Sequence, residues 1–143
     1  MFEGYPVESL DSSWDDDGTM PDNVDTLKDA VVGHRIVDAG YKKAKKYSWS
    51  DYTYDVFTIT LDNGKQVQLV DTDDCCAFTE LQDFLLNADK VDHIITGVGT
   101  TDGYQTWHIY CDMGDILQLQ VGWSCGNPFY YGYGFEIRVK EPA

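Results

Sequence analysis

No run of apolar residues in this 143-residue chain approaches the roughly 20 that a bilayer-spanning helix requires. The acidic N-terminus also lacks the basic and apolar segments of a secretory leader. The sequence therefore predicts a soluble, cytosolic protein with no membrane partner. Basic residues are scarce: 10 Lys and Arg stand against 25 Asp and Glu, for a net charge of −15. A chain of that sign is repelled by phosphate backbones, so direct nucleic-acid binding is not expected. Cys75, Cys76, Cys111 and Cys125 contain no C-x-x-C pair, hence no zinc-ribbon spacing. Four cysteines in a chain without secretory features imply no disulfide framework. Gly-x-Ser-x-Gly, His-Glu-x-x-His and a phosphate-cradling loop are all absent, and Gly97-Val-Gly99 and Gly132-Tyr-Gly134 are too short to replace them. No enzyme activity and no cofactor are expected.

What the chain does have is apolar and aromatic content, at 43% and 14%, with ten Tyr and four Trp. That is enough for one domain with one core. Residues 1–26 stand apart as an acidic tail. They carry Glu3, Glu8, Asp11, Asp15, Asp16, Asp17, Asp22 and Asp25 and no Lys or Arg, with Gly4, Pro6, Gly18 and Pro21 as punctuation. Apolar anchors lie among the carboxylates: Phe2, Tyr5, Val7, Leu10, Trp14 and Met20. A segment that folds on binding carries such anchors. Lys42-Lys-Ala-Lys-Lys46, read as a solvated loop, is an internal basic stretch against which Asp15 to Asp17 could lie.

Residues 27–143 read as a single α+β domain. A short helix is expected over Asp25 to Val32, capped by Asp25 or Thr26 and ended by Gly33. A first strand follows at His34 to Tyr41. Tyr54 to Leu61 and Lys65 to Val70 form a hairpin around Asp62-Asn-Gly64. A three-residue loop there sets Ile59 against Val67 and Phe57 against Leu69, so a bulged hairpin is predicted. Asp92 to Val98, Tyr104 to Asp112, Ile116 to Trp123 and Phe135 to Lys140 supply further strands. A three-residue turn at 113–115 is expected to pair Cys111 with Leu117.

The remaining stretch, Asp71 to Leu86, looks like the main helix. Phe78, Leu81, Phe84, Leu85 and Ala88 recur at helical spacing, with Asp73 or Asp74 as N-cap and Cys75 and Cys76 in the first turn. The expected architecture is about six mainly antiparallel strands in one curved sheet or half-barrel, with that helix packed on it. A helix start favours thiolates, but the neighbouring acids oppose them, so packing is the expected role of the cysteines. Asp73, Asp74, Cys75 and Cys76 are weak candidate metal ligands, with Asp71, His93, His108 or Cys111 as supplements of suitable chemistry.

The most specific features are Gly33-His-Arg-Ile-Val37, the Asp62-Asn-Gly64 hairpin, Asp74-Cys-Cys-Ala77, a strand led by Trp107 and the Gly/Tyr-rich run at 126–134. In this order they resemble a small uncharacterised domain of phage-encoded proteins, many from phages of actinobacteria. The resemblance spans roughly residues 27 to 140 and leaves the acidic tail outside. It implies a phage gene acting in the host bacterial cytoplasm or in the virion, and it transfers no site.

The expected function is that of a non-enzymatic interaction protein. It would bind or inhibit a host or defence protein, or another phage protein, that offers a basic surface. Tyr5, Leu10, Trp14, Asp15, Asp16 and Asp17 are the candidate contacts. A second expectation is a small-ligand, nucleotide-like binder lined by Phe129, Tyr130, Tyr131 and Tyr133 with Trp107 or Trp123. A virion component is a third. A thiol or metal enzyme on Cys75 and Cys76 is the fourth, without motif support.

Overall fold

The computed structural model describes residues 3–6, 19–45, 49, 51–73, 78–124 and 134–142. In chain order the elements are α1 (Thr19–Val31), β1 (Ile36–Lys45), β2 (Thr53–Leu61), β3 (Gln66–Val70), β4 (Thr72–Asp73) and β5 (Phe78–Leu86). A 3-10 turn (Ala88–Lys90) precedes β6 (Gly97–Thr101), β7 (Thr106–Cys111), β8 (Gly114–Ser124) and β9 (Glu136–Lys140). The fold is α+β and the strand pairs are antiparallel. Among the described residues the strands form two sheets, in the orders β1-β2-β3-β9 and β4-β5-β8-β7-β6. The single curved sheet or half-barrel expected from the sequence is therefore corrected. Asp71 alone separates β3 in one sheet from β4 in the other, and no periodicity announces a change of sheet.

Local chemistry sets the hairpins. At the β2–β3 turn, Gly64 takes φ 85° and donates its N–H to the Leu61 carbonyl at 3.0 Å. Ile59 faces Val67 and Phe57 faces Leu69, as the apolar pattern predicts. The β7–β8 hairpin differs from expectation. Cys111 pairs with Gly114 and Ile109 with Leu117, with a register shift between Ile109 and Tyr110. The extra residue is absorbed on β8, so Ile116 and Leu117 are both fully buried although adjacent. Lys42 to Lys45 also lie in β1 and not in a loop. Lys43 pairs with Asp55 at 2.9 Å, and Lys42 with Asp38 at 3.4 Å. Lysines on an edge strand discourage pairing with a further chain.

The expected main helix is a strand. Phe78–Leu86 pairs with β8, and its register shifts between Leu81 and Asp83. Thr79 and Leu81 face inward before the bulge, Phe84 and Leu86 after it, which gives inward spacings of two, three and two residues. The middle spacing imitates a helical repeat. Leu85, which a helix would have buried, is 65% exposed.

The true helix starts earlier than Asp25. Met20, Val24, Leu27 and Val31 recur at helical spacing and are all buried. Each such side chain contributes ~1.5–3 kcal/mol. Pro21 sits in the first turn, where its missing N–H is not needed. The boundary drawn at residue 26 thus crosses α1. Gly33, at φ 91°, ends the helix as expected. The helix packs against β6 and β9, which are edges of different sheets. Asn23 makes the second contact specific: its amide donates to the Phe135 carbonyl and accepts the Phe135 N–H, both at 2.9 Å. The two sheets and α1 share one core, bridged by Phe57 against Phe84 (4.8 Å between ring centres) and Trp107 against Phe135 (5.4 Å).

Candidate functional site

A connected polar cluster lies on the outer face of β6, β7 and β8. Inward alternation of Trp107, Ile109 and Cys111 turns His108 and Tyr110 outward. Across the ladders His108 faces Gly99 on β6 and Gln118 on β8, and Tyr110 faces Gly97. The two glycines leave a floor without side chains. A Cβ at Gly97 would collide with the Tyr110 hydroxyl, and one at Gly99 would lie 2.8 Å from Tyr5 Cβ. The N-terminal segment fills that space. Tyr5 stacks on the His108 imidazole with ring centres 3.9 Å apart and meets Tyr110 edge-on at 5.6 Å.

Asp115 ties the cluster together. Its Oδ1 accepts the Tyr5 hydroxyl at 2.7 Å, and its Oδ2 accepts His108 Nδ1 and Gln118 Nε2, each at 2.8 Å. Burial alone would raise the Asp115 pKa, but the His108, Tyr5 and Gln118 donors reverse the sign and hold the carboxyl below its usual range. The ionised carboxylate requires the proton on His108 Nδ1. In the neutral ring Nε2 then accepts from the Thr101 hydroxyl, 2.8 Å away. The Tyr5 hydroxyl is pushed well above its ordinary pKa, by burial first and then by its bond to Asp115.

Thr101, His108 and Asp115 stand in the order of a hydroxyl–imidazole–carboxylate triad. His108 is only 5% exposed, however, and Tyr5 lies across the ring. The arrangement fixes one imidazole tautomer and fastens the N-terminal segment to the sheet. His108 is in this way a satisfied structural histidine, with both ring nitrogens partnered. The signal that sequence reasoning missed is Gly97-x-Gly99 opposite two outward aromatic rings.

Beside Tyr5, a cavity of about 240 Å³ opens between the N-terminal segment, α1 and β6. Tyr5, Tyr104 and Tyr110 give it aromatic walls, and Thr100, Asp25 and Lys28 supply polar groups. Tyr104 reaches it from a costly turn. Asp102, Gly103 and Tyr104 all have positive φ (59°, 66° and 63°). Each non-glycine residue so placed costs about 1–3 kcal/mol. Two indoles hold the turn: Trp107 Nε1 donates to the Tyr104 carbonyl at 2.9 Å, and Trp123 Nε1 to the Gly103 carbonyl at 2.8 Å.

Of the partner-contact candidates, Tyr5 is thus docked on β7, while Leu10, Trp14, Asp15, Asp16 and Asp17 lie outside the described residues. Of the ligand-wall candidates, Trp123 supports the strained turn, and Phe129, Tyr130, Tyr131 and Tyr133 lie outside them. Asp74, Cys75 and Cys76 also lie outside them, and Asp73 is described only as backbone of β4. Asp71 accepts the Leu81 N–H at 3.0 Å and so braces the turn into β5.

A family model described as a domain of unknown function, DUF7448, matches residues 29–137, and the chain belongs to that family. The matched span includes Thr101, His108 and Asp115 but not Tyr5. No curated protein and no solved structure matches the chain.

Proposed function

We propose that this member of the DUF7448 family is a non-catalytic interaction protein that engages a basic protein surface through its acidic N-terminal region. The observation that carries the reading is the way this region is held. Its Tyr5 end is fastened to β7, and its other end runs into α1, whose buried face locks Asp22, Asp25 and Asp29 outward in one stripe. The sequence between these two anchors adds Glu8, Asp11, Asp15, Asp16 and Asp17 with Leu10 and Trp14. Acidic groups presented on a fixed scaffold steer and orient a basic partner. The phage setting implied by the sequence resemblance makes a host or defence protein the partner to seek, in the bacterial cytoplasm. Virion assembly is the variant of this reading in which the partner is another phage protein.

The test is capture of a stoichiometric partner from host lysate at moderate salt, followed by titration of the purified pair. Replacing Asp22, Asp25 and Asp29 by Lys should weaken binding at least about tenfold and flatten its salt dependence. An affinity unchanged by the triple replacement would remove the proposal.

A second reading rests on the cavity. Its volume and three tyrosine walls suit a small aromatic ligand, and the acidic α1 stripe beside it disfavours phosphates. A nucleobase or nucleoside should then raise the melting temperature more than the matching nucleotide does.

A further inference from the structure

The 3-10 turn before β6 and the β7–β8 turn bring three different donors together, on side chains that the Tyr5 cluster does not use and independent of the interaction reading. His93 Nδ1 lies 3.7 Å from Asp112 Oδ1. The ligand atoms of His93, Cys111 and Asp112 all fall within 4.8 Å of one another. Each is positioned by backbone. The His93 N–H donates to the Lys90 carbonyl at 3.0 Å, closing the turn that carries the imidazole. Cys111 is the last residue of β7, and its side chain is fully buried. Its Sγ accepts the Met113 N–H at 3.4 Å. The Cys111 thiol donates in turn to the Gly114 carbonyl at 3.4 Å, so the β7–β8 turn fixes where the sulfur sits. Asp112 is exposed and His93 partly so, which leaves the outer side of the cluster open to solvent.

We infer that His93, Cys111 and Asp112 form a binding site for a zinc-type divalent cation. The donor set decides the class. One soft thiolate, one imidazole and one carboxylate suit Zn²⁺ or Co²⁺, and they disfavour Ca²⁺ and Mg²⁺, which take oxygen donors. With metal–sulfur and metal–nitrogen bonds of about 2.3 and 2.0 Å, donors in a tetrahedral site sit about 3–4 Å apart. The His93–Asp112 separation already meets that, and the Cys111 sulfur lies within 4.8 Å of both. Three protein ligands leave a fourth position for water. Binding releases the Cys111 thiol proton to solvent. The chain's net charge of −15 favours cation capture at a site near its surface. The sequence names His93 and Cys111 among supplementary ligands for the Asp73–Cys76 cluster. Among the described residues the structure groups them with Asp112, which spacing could not reveal.

Cobalt titration of the metal-free full chain reads the thiolate ligand directly. One equivalent of Co²⁺ should bring a near-ultraviolet thiolate-to-cobalt band and visible ligand-field bands. Zn²⁺ should displace them and raise the melting temperature. Cys111→Ser should abolish the near-ultraviolet band. His93→Ala and Asp112→Asn should each weaken binding at least about tenfold. These two positions are solvent-accessible loop sites, so the answer does not depend on Cys111→Ser folding. No bound cobalt, a thiolate band that survives Cys111→Ser, or affinities unchanged in both loop variants would each overturn the assignment.

Discussion

Tyr5 donates its hydroxyl to Asp115 Oδ1 at 2.7 Å across a separation of 110 residues, and so joins the start of the chain to the β7–β8 hairpin. The ring above that bond is stacked on His108. One side chain therefore holds the N-terminal segment on the sheet by two kinds of contact. Tyr5→Phe keeps the stack and removes the hydroxyl. It should cost about 0.5–1.5 kcal/mol in urea unfolding. Tyr5→Ala loses both and should cost more, with faster proteolysis near the N-terminus.

Gly99→Ala tests the floor under Tyr5. The added methyl would stand 2.8 Å from Tyr5 Cβ, so the ring must lift. A loss of about 1–3 kcal/mol is expected. In a double-mutant cycle with Tyr5→Ala the two losses should fall well short of additive, because either change frees the same segment. Full additivity would show that the glycine acts elsewhere.

Acid and alkali should act on the same bond from opposite sides. The folded-state pKa of Asp115 is lowered, so its contribution is present above the unfolded value near 4 and is lost as pH falls through the lower folded value. The Tyr5 pKa is raised, so its contribution is complete below about 10, the unfolded value, and fades as pH rises above it. Stability curves of wild type and Tyr5→Phe should therefore converge above pH 10. Curves that stay parallel there would contradict the assigned bond.

Asp71 should behave opposite to Asp115 in acid. Desolvation raises its carboxyl pKa, the Leu81 N–H bond opposes this, and Glu80 adds to the rise. Its folded state thus gains stability as pH falls through the carboxylate range. Asp71→Asn keeps an acceptor for the Leu81 N–H without the charge and should be neutral or stabilising at pH 7. Asp71→Ala leaves that N–H without its acceptor and should cost about 1–3 kcal/mol. Paired urea titrations at pH 7 decide it.

The bulge in β5 makes a further distinction. Phe84 packs on Phe57 with ring centres 4.8 Å apart, whereas its neighbour Leu85 faces solvent. Phe84→Ala should cost about 2–4 kcal/mol, and Leu85→Glu should stay within about 0.5 kcal/mol. Equal losses at both positions would restore the helical reading of residues 78–86.

Where the controlling interaction is local, the sequence alone was enough. Asp62-Asn-Gly64 and the apolar alternation on either side determine the β2–β3 register, because a slip of one residue would turn Phe57 and Ile59 to solvent. Gly33 ends α1 for a similarly local reason. The alternation of Trp107, Ile109 and Cys111 orients β7, and so points His108 outward before any partner is known.

Only the tertiary structure decided the rest, because the deciding contacts join residues far apart in the chain. A bulge at Gln82 is set by pairing with β8, so its three-residue spacing cannot be told from a helical turn in β5 alone. Met20 and Val24 belong to a helix because β6 and β9 cover their face; without those strands the acidic surroundings dominate the pattern. The division into two sheets turns on one residue, Asp71. Tyr5 with Asp115, and His93 with Cys111 and Asp112, have no fixed spacing to recognise, since each contact sets a segment outside the strands against the β7–β8 hairpin.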